Sequence, residues 1–277
     1  MNNNFTLYHE RSVGFGASFA TVLCLIDYCI DNNIKAFFDI RNVGYSDISE
    51  NTWDLVFEQP FTNKKPSIVI SSDFPFHELI NFGEKYWKLN YDSKEREKFC
   101  DFKFISHYKN ICKEYITIKK DVIDIVENYL NQYKNKKILG VHKRNKDHLT
   151  TGHAKNQECL LSFDHIFSMI DNVIDDYDYL FLTSDEYNNY EKFLEKYTKK
   201  LIFFDDKKKF KDMGNDLNYV TQTIEEKHNL LKNLISEILI LSKTDKMFLM
   251  NSNVSHMSLL FANHNDYKFY DNHLTYS

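Results

Sequence analysis

Short apolar runs recur in the second half of the chain, separated by stretches with a different rhythm. KILGVH (137–142), YLFLTS (179–184), KLIFF (200–204), KMFLM (246–250) and YKFY (267–270) have strand length and are rich in β-branched and aromatic residues. Between them, apolar positions repeat at helical spacing. Phe163, Ile166, Phe167, Ile170 and Ile174 mark one face; Tyr190, Phe193, Leu194 and Tyr197 mark a second. Leu230, Leu234, Ile238 and Leu241 mark a third, and Met257, Leu260 and Phe261 a fourth. Strands alternating with helices predict βαβ units and a mainly parallel sheet, hence an α/β fold.

The first half is less regular. FTLYHE (5–10) reads as a strand, Gly14–Phe15–Gly16 as a glycine turn, Ser18 to Asn32 as an apolar helix, and KAFFDI (35–40) as a second strand. SIVIS (67–71) is a further strand candidate. All three prolines, Pro60, Pro66 and Pro75, fall here and cut the chain into short pieces. Residues 92–134 read as mostly helical and end in the polar stretch NQYKNKK (131–137). That stretch is the expected linker, giving domains 1–134 and 135–277.

Composition narrows the partners. With 277 residues, 43% hydrophobic and 27% charged, the chain can bury a core. A net charge of −5 without a concentrated basic patch argues against nucleic acid. The five cysteines, Cys24, Cys29, Cys100, Cys112 and Cys159, are odd in number and form no CxxC, so neither zinc nor a disulfide framework is expected. Cys24 and Cys29 lie in the apolar helix and are expected to be buried thiols, which suits a reducing compartment. No basic segment followed by an apolar core opens the chain, and no apolar stretch reaches the length of a membrane span. A cytoplasmic protein is the expectation, and peripheral association with a membrane surface is compatible with it.

Candidate chemistry gathers at the strand ends, where open α/β sheets bind ligands. HKRNKDH (142–148), SDE (184–186) and NSN (251–253) each follow a predicted strand. The chain holds four arginines against thirty-one lysines, so Arg144 at such a tip is conspicuous. A guanidinium grips a diphosphate in two-pronged fashion and never loses its charge. The other reading of Arg144 is a surface ion pair with Asp147 or Asp185. A carboxylate at Asp185 can meet a base edge or ribose hydroxyl; equally, Ser184 or Asp185 can cap the next helix. Ser252 and Asn253 can cap a helix, bind a phosphate, or do both. Gly14 and Gly16, between a strand and a helix, allow backbone amides to approach a phosphate, though any tight turn also uses glycine. No HxxxH or HExxH spacing, serine elbow or GxxxxGK[ST] loop occurs.

In order along the chain, these segments resemble the GT-B fucosyltransferases, in particular the α1,6-fucosyltransferases and protein O-fucosyltransferases. GVHKRNKDH resembles their HxRR-type motif, and GFGASF their N-terminal glycine loop. YLFLTSDEYNNYEKF and EILILSKTDKMFLMNSNVSHMSLLFA resemble two later strand–helix segments. The resemblance implies two Rossmann-like domains with a cleft between them, the first on the acceptor side and the second holding the nucleotide sugar. It also implies a GDP-fucose donor, a glycan or glycolipid acceptor, no metal or other cofactor, and inversion at the sugar carbon. Arg144 takes the diphosphate by position, His142 neighbours the nucleotide, and Asp185 contacts guanine or ribose. Ser252 and Asn253 hold phosphate oxygens, and Gly14 and Gly16 line the opposite wall. Two departures stand out. Asn145 occupies the second basic position. The register of the family's acidic base falls on Gly152, and on Glu158 with a short insertion. A catalytically inactive nucleotide- or glycan-binding protein on the same fold, or the same chemistry with another nucleotide sugar, are the alternatives.

Overall fold

The computed structural model describes residues 4–11, 14–66, 69–70, 102–144, 162–204, 223–250 and 252–270. The chain divides into two compact units. Unit 1 comprises 1–125 together with 218–236, and unit 2 comprises 126–217 together with 237–277. The sequence reading sets one break, at 134/135; the compact units divide at 125/126, and the chain returns to the first unit once.

Among the described residues, unit 1 is built on three parallel strands. β1 (Asn4–Arg11) lies between β2 (Lys35–Asn42) and β3 (Val69–Ile70). Helix α1 (Phe15–Asp31) connects β1 to β2. It starts three residues before the expected Ser18, so Gly16 falls in its first turn and Gly14 alone is the N-cap. The helix stops where Asn33 adopts φ 51°. Ile34 N–H donates to Cys29 O at 2.8 Å and Asn33 N–H to Ile30 O at 3.2 Å, the paired bonds of a left-handed helix stop. Phe15, Phe19, Trp53 and Phe57 pack as an aromatic core, with the Trp53 and Phe57 rings 4.5 Å apart. Cys24, Cys29 and Cys112 are free, buried thiols. Burial pushes the Cys24 and Cys29 thiols up to about 12, so they pack as small hydrophobes rather than react.

β2 is the outer strand of that sheet, and side-chain amides cover its open edge. Asn51 Oδ1 accepts from Ile40 N–H at 2.9 Å, and its Nδ2 donates to Phe38 O at 2.7 Å. Gln59 Oε1 accepts from Phe38 N–H at 2.8 Å. Thr52 Oγ1 accepts from Asn42 N–H at 2.8 Å. Backbone groups that a neighbouring strand would otherwise satisfy are met by the loop that follows.

Helices α2 (Phe102–Tyr115) and α3 (Lys120–Leu130) complete the first stretch of the chain. His107 Nε2 lies 2.9 Å from Asp27 Oδ1, tying α2 to α1. The returning segment is the first part of α6 (Ile224–Ser242). Lys227 Nζ donates to Val43 O at 2.8 Å, His228 Nε2 is 2.6 Å from Glu50 Oε2, and Lys232 Nζ is 2.5 Å from Asp121 Oδ2.

Among the described residues, unit 2 is built on a five-stranded parallel sheet. Its strands are β4 (Ile138–Lys143), β5 (Tyr179–Ser184), β6 (Leu201–Ile202), β7 (Lys246–Leu249) and β8 (Tyr267–Phe269), in the order β6-β5-β4-β7-β8. The first strand is central, and later strands add on one side and then on the other, so the connection reverses between β4 and β7. Helices α4 (Phe163–Asp171) and α5 (Tyr187–Tyr197) pack against one face through Ile166, Ile170, Tyr190 and Phe193, over Leu139, Val141, Leu180 and Leu182. On the other face, the end of α6 and the turn after it lie so close that a Cβ on Gly140 would stand 2.6 Å from Leu241 Cδ1 and 2.4 Å from Thr244 Oγ1. The buried face of α6 runs through Leu231, Ile235 and Ile238; Leu230 and Leu234, expected inside, are only partly buried. Helix α7 (Asn253–Phe261) follows β7. No helix among the described residues is long and apolar enough to cross a membrane.

Candidate functional site

In an open parallel sheet the crevice lies at the carboxyl ends of the strands, where the connection order reverses. In unit 2 that place is the gap between the tips of β4 and β7. β4 ends in His142 and Lys143, with Arg144 next; β7 is followed by Ser252 and Asn253 at the start of α7. The sheet therefore brings His142, Arg144, Ser252 and Asn253 to one end, with Asp185 beyond the tip of the adjacent β5.

Ser252 is the N-cap of α7: its backbone is extended, and its hydroxyl accepts from Ser255 N–H at 3.2 Å. Ser252 O accepts from His256 N–H at 3.0 Å. The amides of Asn253 and Val254 belong to the same first turn, where the helix dipole favours an anion. His142 is 3% exposed. Its Nδ1 sits 2.8 Å from Ser255 Oγ and 3.3 Å from Ser252 Oγ, so the ring joins the β4 tip to the start of α7. Its carbonyl accepts from the Tyr270 hydroxyl at 2.8 Å. Lys143 is buried too; its ammonium donates to Arg144 O at 3.1 Å and lies 5.7 Å over the Phe163 ring.

Arg144 is partly open to solvent. Its Nε stands 3.7 Å from Asp185 Oδ2, and both side chains keep a good share of their surface. The pair weighed from the sequence is thus formed, with Asp185 as the partner. Such an exposed pair is worth ~0–1 kcal/mol, so exchanging Asp185 for a bound anion costs the arginine little.

The turn after β5 departs from expectation. Neither Ser184 nor Asp185 is the N-cap of α5; that position is Glu186, whose side chain makes no capping bond. Ser184 is instead locked from all sides. Its hydroxyl accepts from Asn189 Nδ2 at 2.7 Å and from Glu186 N–H at 3.3 Å, and the Tyr190 hydroxyl donates to its carbonyl at 3.0 Å while accepting from its N–H at 2.8 Å. Full burial raises the Tyr190 hydroxyl far above the usual phenol range, which keeps it a donor. The chain therefore passes rigidly through Ser184 before Asp185.

Gly14 stands at the corresponding place in unit 1, at the N-terminus of α1, beyond the central strand β1. Its φ is −53°, and a Cβ there would meet nothing within 4 Å. The fold itself does not demand glycine at this position. Glu158, the candidate base, and Asn145 lie outside the described residues. Among the described residues, no cluster of His, Cys, Asp and Glu could hold a metal ion.

Three positioning side chains were not found from the sequence: Ser255, Tyr270 and Asn189. Ser255 had a faint signal, since Ser252 and Ser255 stand three apart at a helix start. Tyr270 had none, because its partner is 128 residues away in the chain.

Two parallel-sheet units with helices, and the switch point in the second, make an α/β fold, and solved fucosyltransferase structures share it. The chain superposes on a NodZ α-1,6-fucosyltransferase structure soaked with GDP-fucose with a TM-score of 0.56 and 11% identity, covering 94% of this chain and 93% of that one. It matches the fucosyltransferase NodZ from Bradyrhizobium with a TM-score of 0.56 and 10% identity, covering 94% and 93%. It also matches POFUT1 in complex with GDP, with a TM-score of 0.50 and 10% identity, covering 96% and 98%. No family model and no curated protein sequence matches the chain.

Proposed function

We propose that this protein is an inverting, metal-independent glycosyltransferase that transfers fucose from GDP-fucose to a glycan or glycolipid acceptor. The observation that carries this reading is the convergence of Arg144 with the α7 N-terminus, through Ser252 and Asn253, at the switch point of the unit 2 sheet. The fold likeness to fucosyltransferases crystallised with GDP-fucose or GDP supports the choice of donor.

The chemistry follows from charge. The bond between the sugar carbon and the diphosphate oxygen breaks, and its electron pair leaves with GDP. Arg144 and the first turn of α7 meet the negative charge that grows on the diphosphate. The acceptor hydroxyl attacks the opposite face of the sugar and gives its proton to a base, for which Glu158 is the sequence candidate. One displacement inverts the configuration. His142 helps by holding the strand tip, and Asp185 is placed for a ribose hydroxyl or a guanine edge. Substitution of Asn145 at the second basic position favours one alternative, a nucleotide-binding protein without transfer activity.

A thermal-shift screen against GDP, UDP, ADP and CMP tests the nucleotide class. GDP alone at ~100 times its Kd should add ~2.7 kcal/mol of stability. Donor turnover with candidate acceptors, in excess EDTA, then tests the reaction: transfer should persist. GDP binding with no turnover of GDP-fucose would favour the binding protein. Loss of transfer in EDTA with rescue by manganese would overturn the metal-free mechanism.

A further inference from the structure

β4 outruns its partner at the tip. Its pairing with β7 ends at Val141↔Phe248, whereas its pairing with β5 continues through His142↔Thr183 and Lys143↔Ser184. Even-numbered β4 residues direct their backbone groups towards β7: Ile138 O accepts from Asp245 N–H at 2.9 Å. His142 O is the next but one in that series, beyond the last paired residue. A buried carbonyl there needs a donor, and the Tyr270 hydroxyl supplies it at 2.8 Å.

Tyr270 is itself fixed. It is 1% exposed, its N–H donates to Leu249 O at 3.0 Å, and its carbonyl lies 3.3 Å from His165 Nε2. The side chain of His142 is held separately by Ser255, whose Oγ lies 2.8 Å from its Nδ1. Backbone and ring of His142 are thus pinned by two elements, neither of which pairs with β4 at that point. Arg144 begins two residues further on.

We infer that Tyr270 and Ser255 are positioning residues for Arg144: they fix the end of β4 so that the guanidinium is aimed at the distal phosphate of a nucleoside diphosphate. The inference rests on the nucleotide reading above. A group that recognises charge in a fixed geometry must be held within about 0.5 Å, and it is the supporting contacts that hold it. Neither residue touches the ligand; each acts through the backbone or ring of His142. The sheet would survive without the Tyr270 hydroxyl, since β4 remains paired on both sides up to Val141.

The test compares GDP with GMP in the full-length chain, by calorimetric titration of wild type, Tyr270→Phe and Ser255→Ala. GMP lacks the phosphate at which Arg144 is aimed. Tyr270→Phe is expected to weaken GDP about tenfold, the order of one lost hydrogen bond, and GMP less than twofold, so the preference for GDP falls. Ser255→Ala should move the same ratio in the same direction. With GDP-fucose as donor, kcat should fall more than KM rises. Folded variants with an unchanged GDP:GMP ratio and lowered melting temperature would overturn the inference, because a purely structural bond affects both ligands alike. If Tyr270→Phe does not fold, Ser255→Ala decides alone. A wild-type protein that binds GDP no better than GMP overturns the nucleotide reading itself, and this inference with it.

Discussion

A guanidinium that starts two residues beyond a buried, doubly held histidine has little freedom in where it can reach. Arg144 is the residue at which charge and geometry separate most cleanly. Removing a preorganised donor aimed at developing charge costs ~10²–10³ in kcat. Arg144→Ala should lose at least that much, and Arg144→Lys a large part of it, because lysine keeps the charge and loses the fork. Circular dichroism should show both variants folded, since the long, partly solvated Asp185 pair contributes little to stability. A folded Arg144→Ala protein with near-normal transfer and GDP affinity would leave Arg144 as a surface ion pair only. Arg144 could be picked out from the sequence because arginine is rare here and a strand tip is recognisable. The hydroxyls around His142 could not, because a hydrogen bond spanning 113 or 128 residues leaves no periodic trace. The register of the family's base falls on Gly152 and reaches Glu158 only with a short insertion, and both lie outside the described residues.

Elements were legible in proportion to how one-sided their burial is. Each apolar run named in the second half contains a strand, because short β-branched runs bounded by polar residues have few other uses. On α6, Ile238 and Leu241 are buried as expected, whereas Leu231 and Ile235 take the inner places expected of Leu230 and Leu234. From Ile235 to Ser242 the helix is buried on every side, so its apolar residues carry no directional period. The start of α1 was read late because glycine signals a turn, whereas Gly16 sits inside the helix. The cover on β2 was missed for a related reason: Asn51 and Gln59 look like ordinary loop residues. Asn51→Ala removes the acceptor for the Ile40 and Trp53 amides, while Phe38 O keeps its second donor, Gln59 Nε2. Each buried backbone group left unpaired costs about 1–3 kcal/mol, so a loss of at least that size is expected in urea unfolding. The variant should also associate more readily at high concentration, because the strand edge is uncovered. A change below about 0.5 kcal/mol would show that water replaces the amide without loss.

At the scale of the molecule, the return of residues 218–236 to unit 1 makes the two units interdependent. A chain cut after residue 134 keeps every strand of unit 1 among the described residues but lacks the Lys227, His228 and Lys232 contacts and the fully buried Leu231 and Ile235. Such a fragment should show helical far-UV signal with weak near-UV signal and should bind a hydrophobic dye, the signature of lost packing. A well-dispersed amide spectrum from it would mean that the returning helix is dispensable. The sequence suggested two α/β domains, but a polar linker is only a local signal; a helix that belongs to both units is a long-range fact.

The same return sets a clock during synthesis. The residues that complete unit 1 are made about 110 positions after residue 125, at ~5–20 residues per second. For roughly 6–22 s the nascent N-terminal half waits on the ribosome with its docking surface for α6 uncovered. The last residues of unit 2 follow within about 40 positions, so each unit can complete its own packing within a short interval of the other. A chaperone that shields apolar surface on emerging chains should therefore raise the yield of this protein more than that of one whose first domain finishes early.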